Sequence, residues 1–174
     1  VDAVHRATAD IHQLDDDELG IGTTVTGVAL SLVDGRPVVS VFNVGDSRVY
    51  RFVGNDLEQV TVDHSIVQEM VDAGQLTPEQ AEDHPESNVI TRAVGFSLEP
   101  EIDMSQLELR AGMRLLLCSD GLTKEVPLQR LRLHLAARLS ARETANALVD
   151  AALAQGGRDN ITVIVIDVVR APGD

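Results

Sequence analysis

The sequence predicts a layered α+β fold with antiparallel sheets flanked by helices, and three observations predict it. β-Branched runs come in blocks joined by short turns rich in Gly, Asn and Asp, the pattern of antiparallel hairpins. Apolar residues at three- and four-residue spacing mark helices that cluster between and after those blocks, without strict strand-helix alternation. Capping chemistry stands where two of these helices should begin. With 174 residues and 44% hydrophobic content, residues 1–174 read as one domain with a real core.

Val4, Ala7, Ile11 and Leu14 form the apolar stripe of an opening helix that should cover a sheet. The run Asp15-Asp16-Asp17-Glu18 reads as a solvated connection. Thr23 to Val33 and Pro37 to Val44 are strands around an Asp34-Gly35-Arg36 turn, and residues 47–53 and 56–61 continue the meander around Gly54-Asn55. Ile66, Val67, Met70 and Val71 then give a helical stripe ending at Gly74. Thr77-Pro78-Glu79-Gln80 supplies an N-cap, a proline at the first helical position and a capping-box partner.

Strand character returns at residues 100–109 and at Arg114 to Cys118. Ser140-Ala141-Arg142-Glu143 caps a helix with Ala145, Leu148, Val149, Ala152 and Leu153 on one face, stopped by Gly156-Gly157. Ile161 to Val169 is apolar on both alternations and reads as a central strand buried on both faces.

Charge removes one class of function. With 28 acidic against 14 basic residues, the net charge of −14 repels nucleic acid. The single cysteine, Cys118, forms no internal disulfide and fits a reducing cytoplasm. No run approaches the roughly 18 apolar residues of a membrane span. The residues after Val1 form no export signal, and the absence of an initiator Met suggests a piece of a longer protein.

Three aspartates stand where apolar strands meet tight turns: Asp46 in Gly45-Asp46-Ser47-Arg48, Asp120 in Cys118-Ser119-Asp120-Gly121, and Asp159 in Arg158-Asp159-Asn160. Strand ends hold side chains rigidly, and carboxylate oxygens suit Mg²⁺ or Mn²⁺, which keep several waters and take few protein ligands. Each aspartate alone is ordinary turn chemistry, so only the set carries weight.

That set belongs to a longer series: Gly22-Thr23-Thr24, Gly45-Asp46-Ser47-Arg48, Thr61-Val62-Asp63-His64-Ser65, Asn88 to Gly95, Cys118-Ser119-Asp120-Gly121-Leu122 and Asp159-Asn160-Ile161-Thr162. In content and order it resembles the type-2C, or PPM, metal-dependent protein serine/threonine phosphatases, bacterial type, over nearly the whole chain. The resemblance implies a four-layer α/β/β/α sandwich, incomplete at its N-terminus. It makes Asp120 and Asp159 ligands of the first metal, and Asp46, with Asp120 shared, a ligand of a third and weaker one. Residues 65–95 correspond to a flap that tunes substrate access.

The implied chemistry is hydrolysis of phosphoserine and phosphothreonine in proteins, opposing a Ser/Thr kinase in bacterial signalling. Two bridged Mn²⁺ or Mg²⁺ ions, with a third site in some members, would activate a shared water for in-line attack, without a phosphoenzyme. Cys118 is read as core packing, because a cysteine phosphatase needs backbone donors where this chain places Asp120. Arg48 and Arg92 are read as partners of carboxylates, and His64 as capping or packing at a helix start.

The family pattern breaks at one place. Its phosphate-binding arginine and its Asp-Gly-x-Gly-Gly segment, whose aspartate bridges both metals, are not among these residues. The expectation is that this chain alone is inactive and that its unpaired sheet edges invite pairing with another chain. A non-catalytic interaction module is the alternative.

Overall fold

A computed structural model describes residues 1–14 and 21–171; the acidic stretch Asp15 to Glu18 lies outside the described residues. In chain order the elements are α1 (Asp2–Leu14), β1 (Val25–Val33), β2 (Arg36–Val44), β3 (Arg48–Val53), β4 (Asp56–Gln59), α2 (Ile66–Asp72), α3 (Pro78–Glu82) and β5 (Asp103–Glu108). They continue with β6 (Arg114–Cys118), α4 (Asp120–Thr123), α5 (Leu128–Ala136), α6 (Ala141–Ala154) and β7 (Val163–Asp167). The result is the expected α+β architecture, two antiparallel sheets with flanking helices. One sheet has the order β1-β2-β5 and the other β4-β3-β6-β7.

Local chemistry explains the hairpins and helix starts. Asp34 and Gly35, then Gly54 and Asn55, all adopt positive φ, the double left-handed geometry that tight hairpins require. Thr77 and Ser140 both close full capping boxes, with Gln80 and Glu143 respectively.

The described residues fall into two compact units. The second comprises residues 27–41, 48–61 and 105–174, and holds both main cores. β6 divides them by simple alternation. Leu115 and Leu117 join Val39, Val41, Val49 and Met113 between the sheets, while Leu116 and Cys118 join Tyr50, Leu131, Leu135 and Leu148 beneath the helices.

The doubly buried strand is therefore β6, flanked by β3 and β7. β7 lies at the sheet edge and Ile164 is 49% exposed, which corrects the reading of the last strand as central. An apolar run records favourable burial at each position but not how many neighbours the strand has. α5 was also absent from the sequence reading, although Leu131 and Leu135 now anchor it in the core.

The first unit comprises residues 1–26, 42–47 and 62–104. Thr23 and Val94 exchange both backbone hydrogen bonds, at 3.0 and 2.8 Å. Ser65, not His64, caps α2, its hydroxyl accepting from the Gln68 amide. Among the described residues no helix is long and apolar enough to cross a membrane.

Candidate metal centre

Register builds the centre in the second unit. β6 and β7 run antiparallel with Cys118 opposite Val163, so the residues leaving β6 and those entering β7 meet at one end of the sheet. Asp120 follows β6 by two residues and opens α4; Asp159 lies in the loop between α6 and β7. Ser119 ties the two loops: its hydroxyl donates to the Asn160 carbonyl and accepts from the Thr162 amide, both at 3.0 Å, while its own amide donates to the Thr162 carbonyl.

Gly121 completes the junction. A Cβ there would stand 2.4 Å from the Asn160 carbonyl oxygen and 3.5 Å from the Asp159 carbonyl carbon, so only glycine lets these backbones approach. The structure thus brings the Asp120 and Asp159 loops together.

A buried carboxylate pins the residue before Asp159. Glu125, with a side chain only 3% exposed, accepts from the Arg158 Nε at 2.8 Å, from Nη2 at 3.3 Å and from the Arg158 amide at 3.3 Å. The Arg158 hydrogen bonds hold the Glu125 carboxyl below the usual carboxylate range, against the opposing effect of desolvation. The same contact raises the Arg158 guanidinium. Neither residue was singled out in the sequence, since one stands beside Leu122-Thr123-Lys124 and the other 33 positions on.

The donor chemistry fits a hard divalent cation. Asp120 is 28% exposed, and the Lys124 ammonium sits on its carboxylate, so a cation already occupies that position. Asp159 is exposed and orders its own turn, Oδ1 accepting from the Asn160 amide at 2.7 Å. Two oxygen donors with solvent beside them match Mg²⁺ or Mn²⁺ better than zinc. They supply part of a coordination shell. Among the described residues, no group of three or more His, Cys, Asp or Glu side chains is placed to hold a metal.

Asp46 belongs to the first unit, in the bend between β2 and β3, and is half-buried. The residue before it is held through the peptide groups on both its sides. The Gly45 amide donates to His64 Nδ1 at 3.0 Å, and the Gly45 carbonyl accepts from the His64 amide and from Asn43 Nδ2, each at 3.0 Å. Gly45 has φ +113°, and a Cβ would stand 2.4 Å from Thr24 Cγ2. Arg92 pairs with Asp103 at 3.0 Å and with Glu101 at 3.6 Å, as its reading as a carboxylate partner expects. Cys118 is buried, in keeping with packing.

Comparison with known proteins agrees with this architecture. Residues 49–169 match the family model described as Stage II sporulation protein E (SpoIIE). Protein phosphatase PhpP of Streptococcus pneumoniae is 39% identical over 160 residues, covering 91% of this chain. The chain spans 63% of the length of PhpP. The solved serine/threonine phosphatase of S. agalactiae superposes with a TM-score of 0.85 at 33% identity, over 95% of this chain and 68% of that one. The catalytic domain of serine/threonine protein phosphatase PstP, solved with two manganese ions, gives 0.77 at 36% identity, over 96% and 67%.

The fold, with the matches just given, defines a domain of the protein-phosphatase class. The chain belongs to the PPM family of serine/threonine phosphatases.

Proposed function

We propose that the protein hydrolyses phosphoserine and phosphothreonine in phosphorylated proteins with the help of Mn²⁺ or Mg²⁺, acting against a Ser/Thr kinase in bacterial signalling. The observation that carries this reading is the joining of the Asp120 and Asp159 loops at one end of the β6–β7 pair, through Ser119 and the bare backbone of Gly121. Manganese in the PstP structure supports the choice of ion.

Bound divalent cations would supply an acidified water and neutralise charge on the phosphate. The chain's own contribution is positional. Asp120 and Asp159 hold one ion in part, Ser119 keeps their loops in register, and Glu125 fixes the approach to Asp159 through Arg158. Lys124, paired with Asp120, stands where a bound ion would compete for that carboxylate. Asp46 is assigned to a further, more weakly held ion, and residues 65–95 to a flap that tunes access.

These 174 residues by themselves do not turn over substrate, because the Asp-Gly-x-Gly-Gly segment whose aspartate would bridge the two metals is not among them. A cytoplasmic location fits the single buried cysteine. Leu30 and Leu32, each 73% exposed on the edge strand β1, favour pairing with another chain or a further segment. They also favour the second reading, a non-catalytic interaction module.

The test is hydrolysis of a phosphothreonine peptide with Mn²⁺ by the intact protein. Turnover lost in both Asp120→Ala and Asp159→Ala supports the enzyme. An intact protein without turnover at saturating metal and peptide leaves the interaction module in its place.

A further inference from the structure

We propose that His64 is a positioning residue that holds the peptide groups on both sides of Gly45, its imidazole the Val44–Gly45 N–H and its backbone amide the Gly45–Asp46 carbonyl, and through this turn the direction of the Asp46 carboxylate. The histidine side chain is 5% exposed, and its ring meets the Gly45 amide at Nδ1 and, at Nε2, an Asp103 carboxylate oxygen at 3.1 Å and the Arg92 guanidinium at 3.5 Å. Nδ1 accepts from the Gly45 amide at 3.0 Å, so the ring proton is on Nε2, 3.1 Å from an Asp103 carboxylate oxygen. Arg92 holds Asp103 from the other side at 3.0 Å.

The backbone of His64 grips the same glycine. Its amide donates to the Gly45 carbonyl at 3.0 Å, where Asn43 Nδ2 also donates. One residue therefore fixes both the N–H and the C=O of Gly45, immediately before Asp46. The arrangement is the one used around metal ligands, where an outer hydrogen bond orients the group that coordinates. A run of contacts thus leads from Arg92 through Asp103 and the His64 ring to the Gly45 N–H, at the turn that carries Asp46. All of them lie in the first unit.

Gly45 depends on this clamp because glycine is free to adopt many other conformations, so the turn is fixed by its hydrogen bonds. At φ +113° and packed against Thr24, it is a buried turn whose amide has few alternatives to the imidazole. Losing that acceptor strands a buried N–H, and the turn relaxes. The metal-facing half of the inference rests on the proposed reading of Asp46 as a ligand.

Two substitutions in the intact protein separate a clamp from simple packing. In His64→Asn the side-chain oxygen stands at the Nδ1 position and can still accept from Gly45. In His64→Gln the polar end stands at the Nε2 position, although the side chain is closer to histidine in volume. The clamp predicts that Gly45 amide exchange, read by NMR, stays near the parent rate in Asn and rises at least about tenfold in Gln.

Mn²⁺ affinity, read from paramagnetic broadening of the Asp46 and Ser47 amide signals, should fall in the same order, by about tenfold in Gln. Gln protecting the Gly45 amide as well as or better than Asn would overturn the proposal, because volume and not the acceptor would then be what matters. Asp46→Asn tests the underlying reading separately. If it leaves Mn²⁺ affinity unchanged, the metal assignment of Asp46 falls, while the exchange order still decides the clamp.

Discussion

The Gly45-Asp46 loop of the first unit is gripped at its peptide groups by buried, mostly neutral partners, whereas the Asp120 and Asp159 loops of the second are held by strand register and one charged clamp. In the former, conformation is the vulnerable quantity: a glycine at φ +113° stays in place because His64 and Asn43 hold the two peptide groups that flank it. In the latter, proximity is vulnerable: Ser119, Gly121 and the Glu125–Arg158 pair keep two otherwise ordinary turns touching. Aspartate-bearing turns in the two units thus depend on different physics, and substitutions should tell them apart.

The largest effect is expected at Gly45. Gly45→Ala adds both a left-handed strain and a clash with Thr24, and should cost about 3 kcal/mol in urea denaturation. Combining it with Thr24→Ala should recover the steric part only. Gly121→Ala keeps its backbone conformation but drives a methyl into the Asn160 carbonyl, and should cost about 2 kcal/mol while separating Asp120 from Asp159. Should Gly121→Ala prove the more damaging in the same assay, the contrast between the loops would fail.

The charged clamp gives the next effect. Glu125→Gln keeps the shape and removes the charge that Arg158 meets, and Mn²⁺ affinity should fall about tenfold by calorimetry. The same residue predicts a pH dependence. Its carboxyl titrates lower in the folded state than in the unfolded chain, so the unfolded state binds more protons in acid. Its stabilising contribution is complete above the ordinary value of 4.5 and is lost as pH falls through the lowered folded value. Denaturation midpoints below that value should fall less steeply in Glu125→Gln. Some slope should remain, because hydrogen bonds also lower Glu79 and Glu143.

The smallest effect concerns the capping boxes. Ser140→Ala should cost about 1 kcal/mol, and Thr77→Ala less than this in global unfolding, because α3 has five residues and buries none of them.

These contrasts also show what the sequence could disclose. Hairpin turns and capping boxes are local, so Asp34-Gly35, Gly54-Asn55, Thr77-Gln80 and Ser140-Glu143 were readable from adjacent residues. The aspartates were readable because motif order links them to a family. Pairing across the fold was not: Glu125 meets Arg158 only because α4 and the α6–β7 loop converge, and His64 meets Gly45 across 19 positions. β7 was misplaced for a related reason. Its hydrophobicity reports burial against α6 and the inter-sheet core, and only pairing reveals that among the described residues β6 is its one strand neighbour.

Direct binding of Mn²⁺, measured by calorimetry on the intact protein, tests the central claim that the joined Asp120 and Asp159 loops hold a divalent cation. The account predicts that Asp120→Ala and Asp159→Ala each abolish the tightest binding event while Asp34→Ala, a turn aspartate, leaves it intact. Equal Mn²⁺ affinity in all three variants and the parent would contradict it.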